Sequence, residues 1–168
     1  FDMHQGISLR GIFRAFLVNL ESGEVRQGGS TLTQQLVKSY YLTNRQTLER
    51  KLKEVAVSLI LEVRFSKTEL LTAYVNEIFL GQNGSRAIHG FGLGSYYYFN
   101  KPIVELNPSE IATLISIIRG PSFYNPFRHP ERALERRNFI LERFYDDGLI
   151  TKPQLDSSLN RSLEVSRA

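Results

Sequence analysis

Apolar residues recur at three- and four-residue spacing through most of the chain, and that rhythm predicts helices. From 7 to 20, Leu9, Ile12, Phe13, Phe16, Leu17 and Leu20 form one stripe, with Arg10 and Arg14 off it. A helix of this kind rests in a core or in a membrane interface. The polar, glycine-rich run from Glu21 to Gly29 predicts a loop, followed by a helix that begins near Ser30 and stops at the polar break Thr43 to Gln46. The next helix is expected from Thr47 to Phe65, with Leu48, Leu52, Val55, Leu59, Ile60 and Val63 on its inward face. Arg50, Lys53 and Glu54 point away from the centre of that face, and Glu54 follows Arg50 at the spacing that lets the two pair. Ser66 and Glu69 read as a capping box for a further helix whose inward set is Leu70, Leu71, Tyr74, Val75 and Ile78.

Gly81 to Ser85 interrupts the pattern. Between Ala87 and Phe99, Gly90, Gly92 and Gly94 precede Tyr96, Tyr97, Tyr98 and Phe99, which suggests either a closely packed helix or a partly irregular segment, since each glycine costs a helix about 1 kcal/mol. Asn107, Pro108 and Glu110 start another helix, carrying Ile111, Leu114, Ile115 and Ile118, that ends before Gly120 and Pro121. Pro130 opens a long helix that exposes Arg132, Arg136 and Arg137 and ends at Asp147 and Gly148, and Thr151 to Gln154 caps a short final one. No strand stands out, and the fold class expected is all-α, with about eight helices.

The chain has 168 residues, 42% of them hydrophobic, which suits one domain over residues 1–168. It contains no cysteine, and His4, His89 and His129 lack the spacing of a helical zinc pair. The net charge of +4 is concentrated between Lys38 and Lys67, where seven cations face three acids, and the remainder balances. A phosphate-bearing partner or an anionic membrane surface would be drawn to that segment. No apolar run is long enough to cross a bilayer. The chain opens on Phe1, which suggests a fragment, and the polar run from Ser157 to Ala168 is expected to begin a linker.

Chemistry concentrates at Arg26 to Gln35, where Gly28 and Gly29 run into Ser30, Thr31, Thr33, Gln34 and Gln35. A helix start behind a glycine pair offers unpaired N–H groups to an anion, although the same arrangement is also ordinary helix punctuation. Arg50, Lys51 and Glu54 supply two cations and a carboxylate on the next helix. Taken together these are expected to form two walls of one site.

In order, these segments resemble the peptidoglycan glycosyltransferase domain of bifunctional penicillin-binding proteins and their monofunctional relatives. Phe1, His4 and Gly6 match the tail of the first motif, Gly28 to Gln35 the second, Gly-Gly-Ser-Thr-x-Thr-Gln-Gln, and Arg50, Lys51 and Glu54 the third. Lys67, Leu71, Tyr74 and Asn76 fit the fourth, and Pro121, Tyr124, Asn125 and Pro126 the fifth. The loop from Gly81 to Gly84 and the tyrosine-rich run after it are most similar to the class A, penicillin-binding protein 1B-like group.

The resemblance implies a lysozyme-like multi-helix fold, here truncated at its N-terminus, that polymerises lipid II into glycan strands with inversion and with undecaprenyl pyrophosphate as leaving group. It implies that Ser30, Gln34, Gln35, Lys38, Arg50, Lys51 and Asn76 line the donor side. Glu54 would be the second catalytic glutamate, positioning the pyrophosphate with or without a divalent cation, Mg or Mn, and no organic cofactor is implied. The principal base would lie upstream of Phe1, so the fragment alone is expected to bind substrate-like lipids and turn over poorly. The implied partners are lipid II, the growing glycan chain, a membrane surface met partly by residues 7–20, and a C-terminal transpeptidase domain, with no nucleic acid. The implied location is the periplasmic face of the bacterial inner membrane. Two other readings compete: a lytic enzyme that shortens finished glycan, and a non-enzymatic helical module for anionic membrane or nucleic acid. The first needs no cationic pyrophosphate site, and the second predicts indifference to Glu54→Gln.

Overall fold

The computed structural model describes residues 31–41 and 47–166. The expected helix at 7–20, the loop before Gly28, Ser30 and the break at 43–46 lie outside the described residues. The chain divides into two compact units, residues 1–77 and residues 78–168. Both are mainly helical among the described residues.

In the first unit, α1 (Leu32–Tyr41), α2 (Leu48–Arg64) and α3 (Lys67–Glu77) pack on one another. Thr47 caps α2, accepting from the Arg50 N–H at 3.2 Å. The expected capping box starts α3: the Ser66 N–H donates to Glu69 at 2.8 Å, and the Glu69 N–H donates back to the Ser66 hydroxyl at 3.3 Å. The side chains of Thr47, Ser66 and Glu69 thus answer orphan N–H groups at the starts of α2 and α3, and α3 follows α2 almost without a loop.

The face of α2 that turns inward is the reverse of the one expected. Leu52 is 71% exposed and Val63 87%, and Leu59 and Ile60 are exposed as well, whereas Glu54 and Ser58 are buried. Arg50, Lys51 and Glu62 are partly covered. Hydrophobic periodicity locates the helix but misassigns its inner side, because on this helix ion pairs and hydroxyl contacts to neighbouring elements fill the interior position. In α3, Leu70 and Tyr74 are buried as expected, and Leu71 is exposed.

The second unit departs from an all-helical fold at its start. Phe79–Asn83 (β1) and Arg86–His89 (β2) pair antiparallel, with Gly81 opposite Ile88, Asn83 opposite Arg86 and a bulge between Phe79 and Gly81. The strands are too short and glycine-rich to announce themselves by alternation. Gly90–Phe99 (α4) follows directly, and its Gly94 lies so close to β1 that an added Cβ would sit 2.5 Å from Leu80 Cδ1. At Gly81 an added Cβ would meet the Tyr98 hydroxyl at 2.6 Å, the hydroxyl that donates to the Leu80 carbonyl at 2.8 Å. The segment is thus a regular helix in which close packing is what Gly94 serves, whereas Gly92 meets open space and Gly90 takes a positive φ of 77° at the helix start. Tyr98 also stacks on Phe127, with ring centroids 5.5 Å apart.

After a 3-10 turn at Ile103–Glu105 come α5 (Pro108–Ile118), α6 (Pro130–Asp146) and α7 (Lys152–Leu159). Asn107 with Glu110, and Thr151 with Gln154, form the expected capping boxes. Ala112, Ile140, Leu141 and Leu155 make the centre where these three helices meet, joined by Ile115, Phe144, Ile150 and Leu159. Each such large side chain contributes about 1.5 to 3 kcal/mol by leaving water.

Arg137 was expected on the surface of α6 but is fully buried. Its guanidinium donates to the Ser109 hydroxyl at 3.1 Å and to the carbonyls of Arg161 at 2.8 Å and Ser162 at 3.1 Å, with Asn138 completing the set at 2.7 Å. Burial pulls its pKa below the ordinary arginine value, and the carboxylate of Glu164 opposes that shift. The stretch from Ser157 onward therefore begins inside α7 and continues as a strap, with Leu163 buried and the Ser166 N–H donating to the Tyr98 carbonyl at 2.9 Å. Arg137→Met leaves those carbonyls unanswered and is expected to cost about 3 kcal/mol or more in urea unfolding, with faster proteolysis after Leu159.

Candidate active site

The site begins at the first turn of α1. Thr31 accepts from the Gln34 N–H at 3.3 Å, and the Thr31 N–H donates back to Gln34 Oε1 at 3.2 Å. This capping box sets the helix start one residue later than expected and commits the side-chain carbonyl of Gln34. Gln34 is 1% exposed, and among the described residues its buried Nε2 has no hydrogen-bond partner. Leaving an amide donor in that state costs about 1 to 3 kcal/mol, so the position asks for an acceptor. The neighbouring Gln35 is held differently: its Oε1 accepts from the Tyr74 hydroxyl of α3 at 3.1 Å.

On α2 the structure brings together Arg50, Lys51 and Glu54. Glu54 is 2% exposed, its Oε1 paired with Lys51 Nζ and its Oε2 lying 3.6 Å from Arg50 Nη1. Ser58, one turn on and fully buried, donates to the Glu54 main-chain carbonyl at 2.6 Å. A carboxylate out of water needs such partners, because the desolvation cost of an unpaired ion is several kcal/mol. The Arg50 contact is an ion pair without being a hydrogen bond, and among the described residues neither Nη1 nor the buried Nε of Arg50 has a hydrogen-bond partner. The cluster thus holds one carboxylate steady and leaves Arg50 Nε unanswered by the described residues.

The other expected residues stand apart. Lys38 is exposed in the last turn of α1 and Asn76 is exposed near the end of α3, and among the described residues no hydrogen bond or ion pair joins either to the cluster. Ser30 lies outside the described residues. A divalent cation does not fit Glu54 as it stands: both carboxylate oxygens face cations, and no group of three His, Cys, Asp or Glu residues gathers among the described residues. Sequence reasoning gave no role to Ser58, Glu62 or Thr33, which stand beside the named residues. The signal was the four-residue spacing of Arg50, Glu54, Ser58 and Glu62, which draws one polar line down a helix.

Comparison with known proteins follows that geometry. A family model described as transglycosylase matches residues 1–145. The chain belongs to the transglycosylase family. It is 46% identical to penicillin-binding protein 1B of Vibrio cholerae over 99% of its length, and 44% identical to penicillin-binding protein 1B of Escherichia coli over 98%. It spans 22% and 20% of those two relatives. Among solved structures, penicillin-binding protein 1A from Haemophilus influenzae matches with a TM-score of 0.54 and 28% identity, covering 81% of this chain and 16% of that one. The resemblance stated from the sequence is therefore kinship at the level of the family, and the helical architecture agrees with it.

Tyr74 gives its contact with Gln35 a measurable pH signature. Burial pushes its phenol up to about 12 from an ordinary value of 10. The folded form thus keeps the proton, and the bond to Gln35, at a pH where the unfolded chain has begun to release it. Stability from this group is present below pH 10 and lost as pH rises from 10 toward 12. Wild type is expected to lose stability across that window in denaturant melts, with Tyr74→Phe showing a shallower slope.

Proposed function

We propose that this chain is the glycosyltransferase part of a longer penicillin-binding protein, and that it polymerises lipid II into peptidoglycan glycan strands. The observation that carries the reading is a pair of buried donors without a hydrogen-bond partner among the described residues, Gln34 Nε2 on α1 and Arg50 Nε on α2, the latter on the arginine that with Lys51 holds the Glu54 carboxylate. A leaving pyrophosphate gathers charge as its bond to the sugar breaks, and donors fixed beforehand, out of water, stabilise that charge best. Glycan cleavage by a lytic enzyme has no such anion to meet.

In the proposed reaction the 4-hydroxyl oxygen of the acceptor sugar attacks the anomeric carbon of the donor from the face opposite its pyrophosphate. The new carbon–oxygen bond forms as the old one breaks, the configuration inverts, and undecaprenyl pyrophosphate leaves with the bonding electron pair. The hydroxyl proton passes to a general base, the part that the family resemblance assigns to the glutamate of the first motif. Arg50 and Lys51 meet the pyrophosphate, and Glu54 keeps those cations oriented. The exposed apolar stripe of α2, Leu52, Leu59, Ile60 and Val63, supports a lipid surface as the place of work. A bacterial inner membrane at its periplasmic face, and a transpeptidase domain further along the chain, complete the reading.

In the full-length protein, lipid II is expected to be lengthened into glycan. Glu54→Gln is expected to lower that rate by about a hundredfold or more, with an unchanged circular dichroism spectrum. Shortening of finished glycan, or polymerisation indifferent to Glu54→Gln, would overturn the reading.

A further inference from the structure

Two turns beyond Glu54, on the same line of α2, sits a second carboxylate that the proposed transfer does not use. Eight residues of α-helix place Glu62 about 12 Å from Glu54 along the axis. The Glu62 side chain is 6% exposed. Its Oε1 accepts from the Thr33 hydroxyl, and its Oε2 pairs with Lys67 Nζ. Thr33, itself 1% exposed, is in the first turn of α1 next to Gln34, and Lys67 is the first residue of α3. One carboxylate therefore joins three helices.

A buried ion costs several kcal/mol unless both of its oxygens are answered, and a leucine of similar size would hold helices together more cheaply. What an ion adds is direction: hydrogen bonds fix distance and angle where apolar contact tolerates sliding. The need is specific here, because the aliphatic side chains Leu59, Ile60 and Val63, which would otherwise pack α2 against its neighbours, face outward.

We propose that Glu62 is a positioning residue, and that the Thr33–Glu62–Lys67 tether sets the first turn of α1, with the unpaired Gln34 amide, against the Arg50–Glu54 cluster. This rests on the transfer reading above. Because the pyrophosphate charge grows in the transition state, a loosened wall slows the chemical step more than it weakens ground-state binding.

The test compares Thr33→Val, which removes the hydroxyl and keeps the shape, with Thr33→Ser, which keeps the hydroxyl, in the full-length protein. Thr33→Val is expected to lower kcat for lipid II about tenfold with KM within about twofold, and Thr33→Ser to recover most of the rate. Amide exchange at residues 31–35 is expected to quicken about tenfold in Thr33→Val alone, with α5 and α6 unchanged. If Thr33→Val does not fold, Glu62→Gln replaces it and is read by the same two measurements. Unchanged exchange overturns the tether. Faster exchange with kcat near wild type leaves a structural strut and overturns the positioning role. A wild type that fails to lengthen lipid II overturns the transfer reading instead, and the exchange arm still decides the tether.

Discussion

A helix that turns its charged side inward must answer every charge on it, and much of the first unit follows from that constraint on α2. Arg50, Glu54, Ser58 and Glu62 lie on one line with the half-exposed Lys51 beside it, and the partners that make the burial tolerable come from the helix itself, from the start of α1 and from the start of α3. Burying apolar area alone would have oriented α2 the other way, with Leu52 and Val63 inside. The arrangement costs stability and gives in return a fixed set of donors in a place largely out of water.

The second unit solves a different problem, that of bringing a glycine-rich stretch into a solid body. α4 sits close on the hairpin because Gly94 has no side chain to hold Leu80 away, and the Tyr98 hydroxyl reaches the Leu80 carbonyl past Gly81. The aromatic run is thereby divided. Tyr98 and Phe99 are interior, and Tyr96 faces solvent.

What could be read from the sequence was chiefly what is local. Thr47, Ser66 with Glu69, Asn107 with Glu110, and Thr151 with Gln154 each satisfy backbone groups within a few residues, so their helix ends were legible without knowledge of the fold. The family motifs were equally plain, and they named Gln34, Arg50, Lys51 and Glu54 before any geometry was known. The inner side of α2, the hairpin and the burial of Arg137 were not legible. The first and the last depend on partners far along the chain, Thr33 for Glu62 and the Arg161 carbonyl for Arg137, whereas the hairpin is local but too short for its alternation to show. Composition within a window cannot report a hydrogen bond across more than twenty residues.

The strap behind α7 has a mechanical side. Arg137 grips the carbonyls of Arg161 and Ser162 together, and the Ser166 N–H adds a further attachment at Tyr98. A pull applied beyond residue 166 would meet the Tyr98 attachment first and then the paired guanidinium bonds, which share the load and must give way almost together. Tension arriving from that side would therefore pass into the body of α6 before the strap peels, so that this helix behaves as an anchor for whatever force the chain carries.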